Sequence, residues 1–157
     1  MAVQIRLKAV DSQSLIDGER AQFRFRLAAM IYDAFIILAM WVFTIVLLVT
    51  VTGDAVIGAW LQSLLFLELF AFFVYFWMHK GQTIGMLAWR LRLVSPEPFT
   101  LRKAFYRFLG ATASFLTLGL GYYWIWIDSD RRSWSDIASN SYIVRYTRER
   151  SSRETTQ

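Results

Sequence analysis

Three long apolar stretches dominate the pattern of hydrophobic and polar positions along the chain. The first, residues 26–51, contains a single charge after Arg26, at Asp33, and the second, residues 55–78, contains only Glu68. Each is longer than the roughly 20 residues that a helix needs to cross about 30 Å of hydrocarbon, and neither has the polar face of a helix in a soluble protein. The pattern therefore predicts two transmembrane helices over these ranges.

The third apolar stretch, residues 104–127, is interrupted by Gly119 and Gly121. Glycines weaken a helix by about 1 kcal/mol each, and a helix over residues 104–117 would be only about 21 Å long. A spanning helix would carry the arginines that follow it to the face opposite the other basic residues. A re-entrant hairpin that turns at the glycines would keep all 17 Lys and Arg residues at or near one face. We favour the hairpin, because basic residues accumulate in cytoplasmic loops.

Polar segments separate and flank the apolar stretches. They are a cytoplasmic N-terminal segment 1–21, a connector 79–103, a cytoplasmic motif 128–145 and a tail 146–157. Apolar and polar residues alternate at residues 3–9, which predicts a short strand, and strands are also expected at 91–94 and 142–144. The composition of the tail predicts disorder. The sequence thus predicts an all-α integral membrane protein with two transmembrane helices, a glycine-broken third segment and short cytoplasmic strands.

Composition narrows the chemistry that the chain can perform. It has no cysteine and one histidine, His79, which excludes disulfides and thiolate sites and argues against zinc. Residues 81–85 are glycine-rich but lack the Lys-Ser/Thr of a phosphate loop, and no serine lies in a nucleophile elbow. We therefore predict no enzyme activity, no metal site and no cofactor. The net charge of +5 is interpreted as topological rather than as a sign of nucleic-acid binding.

Charged residues inside the apolar stretches require partners. Asp33 lies two helical turns after Arg26, about 10 Å away, whereas Arg107 enters the third stretch at a similar depth, so we expect Asp33 to pair with Arg107. This pair is either a structural ion pair or a polar site for an ion or solute, the usual hypothesis for a charge within a membrane. Glu68 is either a neutral acid that bonds a helix backbone or a proton carrier.

Four motifs, in order, resemble the RDD family of small bacterial membrane proteins, which is named for one arginine and two aspartates. Arg26 and Asp33 match the arginine and the aspartate of the family's first helix. The ending resembles D-x-x-R-R-x-x-H-D, with Asp128, Arg131 and Asp136 in place. On this resemblance Asp136 is the second aspartate of the family name.

The connector resembles the family's G-x-T-x-G-K motif, with Gly81, Thr83 and Gly85 in place, and residues 102–110 resemble the basic start of its last apolar region. The resemblance covers about residues 22–145. The chain departs from the family at several positions: Met86 replaces a lysine, Arg90 a glycine, Ser135 a histidine, and Asn140-Ser141 a Gly-Thr pair.

What the resemblance implies about activity is limited: transport has been suggested for the family, and cation/proton antiport for some members. Our first hypothesis is a transporter, or a transporter subunit, for a small ion or solute. Asp33 and Arg107 would form its polar site, Asp136 and Arg131 its cytoplasmic gate, and Glu68 a proton carrier. Two spans and a hairpin are too few to enclose a pathway, so this hypothesis predicts a homo-oligomer.

The second hypothesis is a non-transporting membrane module that organises partners or lipids and whose buried charges are structural. Its basic face would attract anionic headgroups, at about 1 kcal/mol per nearby Lys or Arg. Both hypotheses place the chain in the bacterial cytoplasmic (inner) membrane, with the N-terminus, and on the hairpin topology also the C-terminus, in the cytoplasm.

Overall fold

Helices account for most of the described chain, which is residues 19–146 of a computed structural model. They are α1 (Phe23–Thr52), α2 (Ala59–His79), α3 (Ile84–Ala88), α4 (Leu101–Leu116), α5 (Leu120–Tyr123) and α6 (Trp134–Ala138), with a 3-10 turn at Trp124–Trp126. The predicted strand at residues 3–9 and the predicted disorder from residue 147 onwards lie outside the described residues.

Two of the helices, α1 and α2, are long and apolar enough to cross a membrane. They occupy the two stretches predicted to be transmembrane, but the connection between them is longer than expected and takes up the first residues assigned to the second span. Gly53 ends α1 with a left-handed backbone, at a φ of 73°, and its amide donates to the Val49 carbonyl. Gly58 follows with a φ of 124° and directly precedes α2.

A polar layer, comprising α3, α6 and a three-stranded sheet, covers one end of α1 and α2. The strands are β1 (Glu19–Arg20), β2 (Leu91–Val94) and β3 (Tyr142–Arg145), in the order β1-β3-β2 with both pairs antiparallel. The structure therefore has strands at 91–94 and 142–145, where they were expected. Leu91 and Val144 of this sheet are fully buried, and Leu91 belongs to the same hydrophobic cluster as Ala29 of α1 and Trp77 of α2.

The third apolar stretch breaks where the glycines predict. The axis bends by 109° between Leu101–Leu116 and Leu120–Trp126. Gly119 makes the turn with a φ of 87°. The Tyr123 and Trp126 rings then pack on Phe23 at the start of α1, with ring centroids 5.6 and 5.3 Å away. The segment thus leaves the polar layer at α4 and returns beside the same end of α1.

The first three turns of α1 lie against the polar layer. Arg26, Ala29 and Asp33 are buried there. The rest of the helix, residues 34–52, is about 28 Å long at about 1.5 Å per residue, which matches a hydrocarbon core of about 30 Å. Asp33 consequently lies at the boundary between the polar layer and the apolar part of α1.

Candidate functional site

Asp136 is a fully buried carboxylate at which two arginines from distant parts of the chain meet. Its Oδ2 accepts a hydrogen bond from Arg26 Nη1, and its Oδ1 accepts one from Arg107 Nη1 at 2.7 Å. All three side chains are at most 5% exposed. Arg26 belongs to the first turns of α1, Arg107 to α4 and Asp136 to α6, so one carboxylate connects three helices.

The local structure of α6 positions Asp136 for this role. Ser133 is the N-cap residue, and its amide donates to Asp136 Oδ2 at 3.2 Å, which is the return bond of a capping box. Burial acts to raise the pKa of Asp136, but the charges of Arg26 and Arg107 outweigh it and lower the pKa to about 2. Asp136 is therefore ionised across the physiological range.

Further donors of the two arginines bind backbone and hydroxyl oxygens. Arg26 Nε donates to the Ala21 carbonyl at 3.1 Å, and Arg107 Nη1 donates to Ser141 Oγ at 2.9 Å. The Arg107 guanidinium also lies 5.2 Å from the ring centroid of Trp77, near the end of α2. Through these contacts the cluster reaches β3 and the second long helix.

Asp33 forms a second cluster, with the connector. Thr83 Oγ1 donates to Asp33 Oδ2 at 2.5 Å, and the Gly85 amide donates to Oδ1 at 2.7 Å. Thr83 is also the N-cap of α3, where its hydroxyl accepts the Met86 amide at 3.2 Å. The connector motif therefore holds both the short helix α3 and the aspartate of α1. Gly81 supports this turn with a φ of 64° and a carbonyl that accepts the Leu93 amide at 2.8 Å.

Gly85 allows α3 to approach α1 at backbone distance. A Cβ atom at this position would run into the carbonyl oxygen of Ala29 and would lie 2.9 Å from the carboxyl carbon of Asp33. Because the first obstacle is helix backbone rather than a flexible side chain, the space cannot open without moving α1 and α3 apart. The second glycine of the motif is required for this contact.

The expected pairing of Asp33 with Arg107 is wrong. Arg107 donates instead to Asp136, a carboxylate that α6 carries to the same depth. Each carboxyl oxygen of Asp33 already accepts one hydrogen bond, from a hydroxyl and from an amide of the connector. The sequence placed Asp33 and Arg107 at similar depths along their helices. It did not show which part of the polar layer each side chain would contact.

Asp128 and Arg131, two other candidate residues, join neither cluster. Asp128 Oδ2 accepts the Arg132 amide at 2.9 Å and Arg132 Nε at 3.2 Å, and these bonds lower the pKa of Asp128. The Arg131 side chain makes no ion pair within residues 19–146. Arg131 and Asp136 therefore do not meet as the two halves of a gate.

Glu68 occupies a third polar position, between the two long helices and away from the polar layer. Thr44 Oγ1 donates to Glu68 Oε1 at 2.7 Å, and nearby Trp41 Nε1 donates to the Leu65 carbonyl at 3.0 Å. The other carboxyl oxygen, Oε2, is buried and has no hydrogen-bond partner among the described residues. Among the predicted site residues, Arg107 Nε also lacks a partner in the described chain, but Glu68 is the one of the two that lies within the two long helices.

Sequence reasoning missed Thr44, Ser141 and Trp77 as partners of the buried charges. Thr44 and Trp77 are uncharged residues within an apolar stretch, so the sequence contained no sign that Thr44 bonds Glu68 or that the Trp77 ring lies beside Arg107. Ser141 had a usable signal, because it stands where the family resemblance has a threonine and so retains a hydroxyl.

Two candidate spans above a polar layer with buried carboxylate–arginine contacts define a helical membrane protein. The model of the RDD family matches residues 20–140, and the chain belongs to this family. Comparison with curated proteins and with solved structures gave no match. Arg26, Asp33 and Asp136, which the resemblance assigns to the family name and which we call the signature residues, all lie in the two clusters of the polar layer.

Two departures from the family pattern coincide with unusual backbone. Arg90 and Asn140 stand where the resemblance has glycines, and they have φ values of 56° and 47°. Glycine adopts this left-handed region freely, whereas asparagine tolerates it and arginine is strained there. The chain therefore forms these two left-handed turns without the residue best suited to them.

Proposed function

We propose that this chain is a subunit of a membrane transporter for a small ion, and that Glu68 and Thr44 form its ion or proton site. The observation that carries the proposal is the unpartnered, buried Oε2 of Glu68 between the two long helices. A carboxyl group within a span is costly and commonly marks an ion or proton pathway. Thr44 fixes one carboxyl oxygen, which leaves the other free to carry a proton or to bind a cation.

The transporter is a homo-oligomer on this proposal. Two long helices and a bent segment cannot surround a pathway, and only 6% of the most apolar window of α1 and of α2 is buried within the chain. Neighbouring copies and lipid would cover the rest. Helix association in a membrane relies on packing and on polar contacts between helices, and the pathway would run where copies meet beside Glu68.

The proposal also includes a membrane topology. The bent third segment re-enters the membrane from the cytoplasmic face, both termini lie in the cytoplasm, and the protein resides in the bacterial inner membrane. In support, the bent segment begins and ends at the polar layer, and a chain with 17 basic residues would then follow the positive-inside rule. Anionic lipid would bind this basic face, and no enzymatic step is assigned to the chain.

A second candidate function is a non-transporting module that organises lipids or partner proteins. One observation favours it: the signature residues find their acceptors and donors within the chain, so their charges are explained by folding alone. In this case Glu68 would be a neutral acid that only ties α2 to α1.

Flux into proteoliposomes separates the two candidates. On the transporter proposal, wild-type protein dissipates an imposed pH gradient in the presence of Na⁺ or K⁺. Glu68→Gln, which keeps the bond from Thr44 but cannot ionise, is expected to lower this flux at least about tenfold with little change in thermal stability.

Ser63→Ala, an exposed change on the same helix, is the matched control and should keep wild-type flux. Wild-type protein that moves neither protons nor these cations would contradict the proposal and favour the organising module. Unchanged flux in Glu68→Gln would remove Glu68 from the site.

A further inference from the structure

We propose that an open cavity beside β1 binds the phosphate group of an anionic phospholipid. The cavity has a volume of about 300 Å³ and is lined by Arg20, Ser129, Asp130 and Arg131. It lies outside both carboxylate clusters and is independent of Glu68, so it requires only that the chain sits in a membrane.

Two guanidinium groups line the cavity without carboxylate partners among the described residues. Arg20 lies with its guanidinium carbon 4.0 Å from the ring centroid of Tyr142, and its Nη1 is buried with no acceptor in residues 19–146. Arg131 is exposed and makes no ion pair in the same part of the chain. Paired guanidiniums are suited to phosphate, since their planar donors match its oxygens.

The acids near the cavity are engaged elsewhere. Asp130, the one carboxylate in the lining, is 3.1 Å from Arg132 Nη2, and Asp128 is 3.2 Å from Arg132 Nε. Arg132 carries one positive charge and so offsets only one of the two aspartates, but with Arg20 and Arg131 three guanidiniums stand against two carboxylates and leave a net charge of +1 around the cavity. The neighbouring Arg131 and the more distant Arg20 are left to give the cavity its positive character.

Arg131 has an unusual backbone conformation. Its φ is 54°, in the left-handed region, and its amide donates to the Asp128 carbonyl at 2.9 Å. Strained backbone of this kind is concentrated at functional sites. In this conformation Arg131 lines the cavity while Arg132, one residue on, turns to the aspartates.

A lipid, rather than a free phosphate ion, fits the surroundings. Trp126 and Ile127, just before the loop that forms the cavity, are 69% and 72% exposed. Trp126 also packs on Phe23 at the start of α1, and tryptophan favours the headgroup level of a bilayer. A phosphate between Arg20 and Arg131 would therefore have an apolar surface beside it, along which acyl chains can lie.

The test uses the full chain in neutral detergent and measures bound lipid by native mass spectrometry. Phosphatidylglycerol is expected to bind at least about tenfold more tightly than phosphatidylcholine. Arg131→Gly removes the guanidinium while suiting the left-handed backbone, and it should abolish this preference, as should Arg20→Gln. Arg102→Gln, an exposed change at a different surface, is the control and should keep it.

Four outcomes would overturn the proposal. They are equal binding of the two lipids, an unchanged preference in both cavity variants, an equal loss in Arg102→Gln, and stabilisation of the wild-type protein by inorganic phosphate alone that disappears in Arg131→Gly. The last would assign the cavity to a soluble phosphate ion instead of a lipid.

Discussion

At the scale of single residues, the backbone conformation of four side-chain-bearing residues stands out. Arg90, Leu118, Arg131 and Asn140 have φ between 47° and 56°, a region that costs a residue with a Cβ about 1–2 kcal/mol, and less for asparagine. Arg90 ends the short turn before β2, and its place in the family pattern belongs to glycine. Its strain is therefore a property of this chain rather than a requirement of the fold.

Replacing Arg90 with glycine is expected to stabilise the protein by about 1 kcal/mol, because glycine removes the strain of the left-handed conformation. Thermal unfolding in detergent would measure this as a higher Tm. The matched control is Arg92→Gly, two residues on in β2, where glycine should lower stability by about 0.5–1 kcal/mol. A lower Tm in Arg90→Gly would show that its side chain contributes more than its backbone strain costs.

The charge of Asp136 makes stability depend on acid. Its pKa is about 2 in the folded protein, below the ordinary value of 3.8, so the stabilisation is complete above about pH 4 and is lost as the pH falls towards 2. The difference corresponds to about 2 kcal/mol. Asp136→Asn should be less stable by about 3 kcal/mol or more at neutral pH, because two buried guanidiniums lose their counter-charge.

Unfolding curves at pH 7 and pH 3 test this linkage. The acid-induced loss in Tm should be smaller in Asp136→Asn than in wild type, since the variant has no carboxylate to protonate at this position. Asp54→Asn, an exposed change in the loop between the long helices, should retain the wild-type response. Equal acid sensitivity in wild type and Asp136→Asn would contradict the assigned role.

At the scale of secondary-structure elements, α3 approaches the backbone of α1 closely through Gly85. Gly85→Ala would place a methyl group against the Ala29 carbonyl and is expected to cost about 1–3 kcal/mol as overpacking. It should also weaken both bonds to Asp33 by separating the helices. Leu87→Ala, an exposed change on the same short helix, should have little effect on Tm. Equal Tm values for wild type and Gly85→Ala would show that α3 can shift freely.

Sequence patterns predicted the elements better than they predicted the contacts. The two spans were found because stretches of more than twenty predominantly apolar residues form a local signal, and Gly119 marked the bend because its backbone freedom is also local. The partner of Arg107 was a choice among several carboxylates. Arg107 bonds to Asp136 because α6 packs against α4, and that packing depends on the whole polar layer. Glu68 was identified, but its bond to Thr44 depends on the relative rotation of two helices.

At the scale of the whole molecule, one end of each of α1, α2 and α4 lies at the polar layer, so the proposed topology puts all three of these ends on the same side of the membrane. Because the sequence contains no cysteine, labelling of single introduced cysteines tests this topology cleanly. In intact cells, an impermeant thiol reagent should label Asp54→Cys and should not label Glu97→Cys or Ser129→Cys, which flank the bent segment. Labelling of Ser129→Cys but not Glu97→Cys would mean that the third segment spans the membrane.

The contact between Arg26 and Asp136 joins residues 110 positions apart in the chain. A ribosome completes α1 long before it reaches Asp136, so the Arg26 guanidinium lacks this counter-charge until α6 has been synthesised. A product truncated before α6 would therefore contain both candidate spans and still lack the ion pair that links α1 to α6.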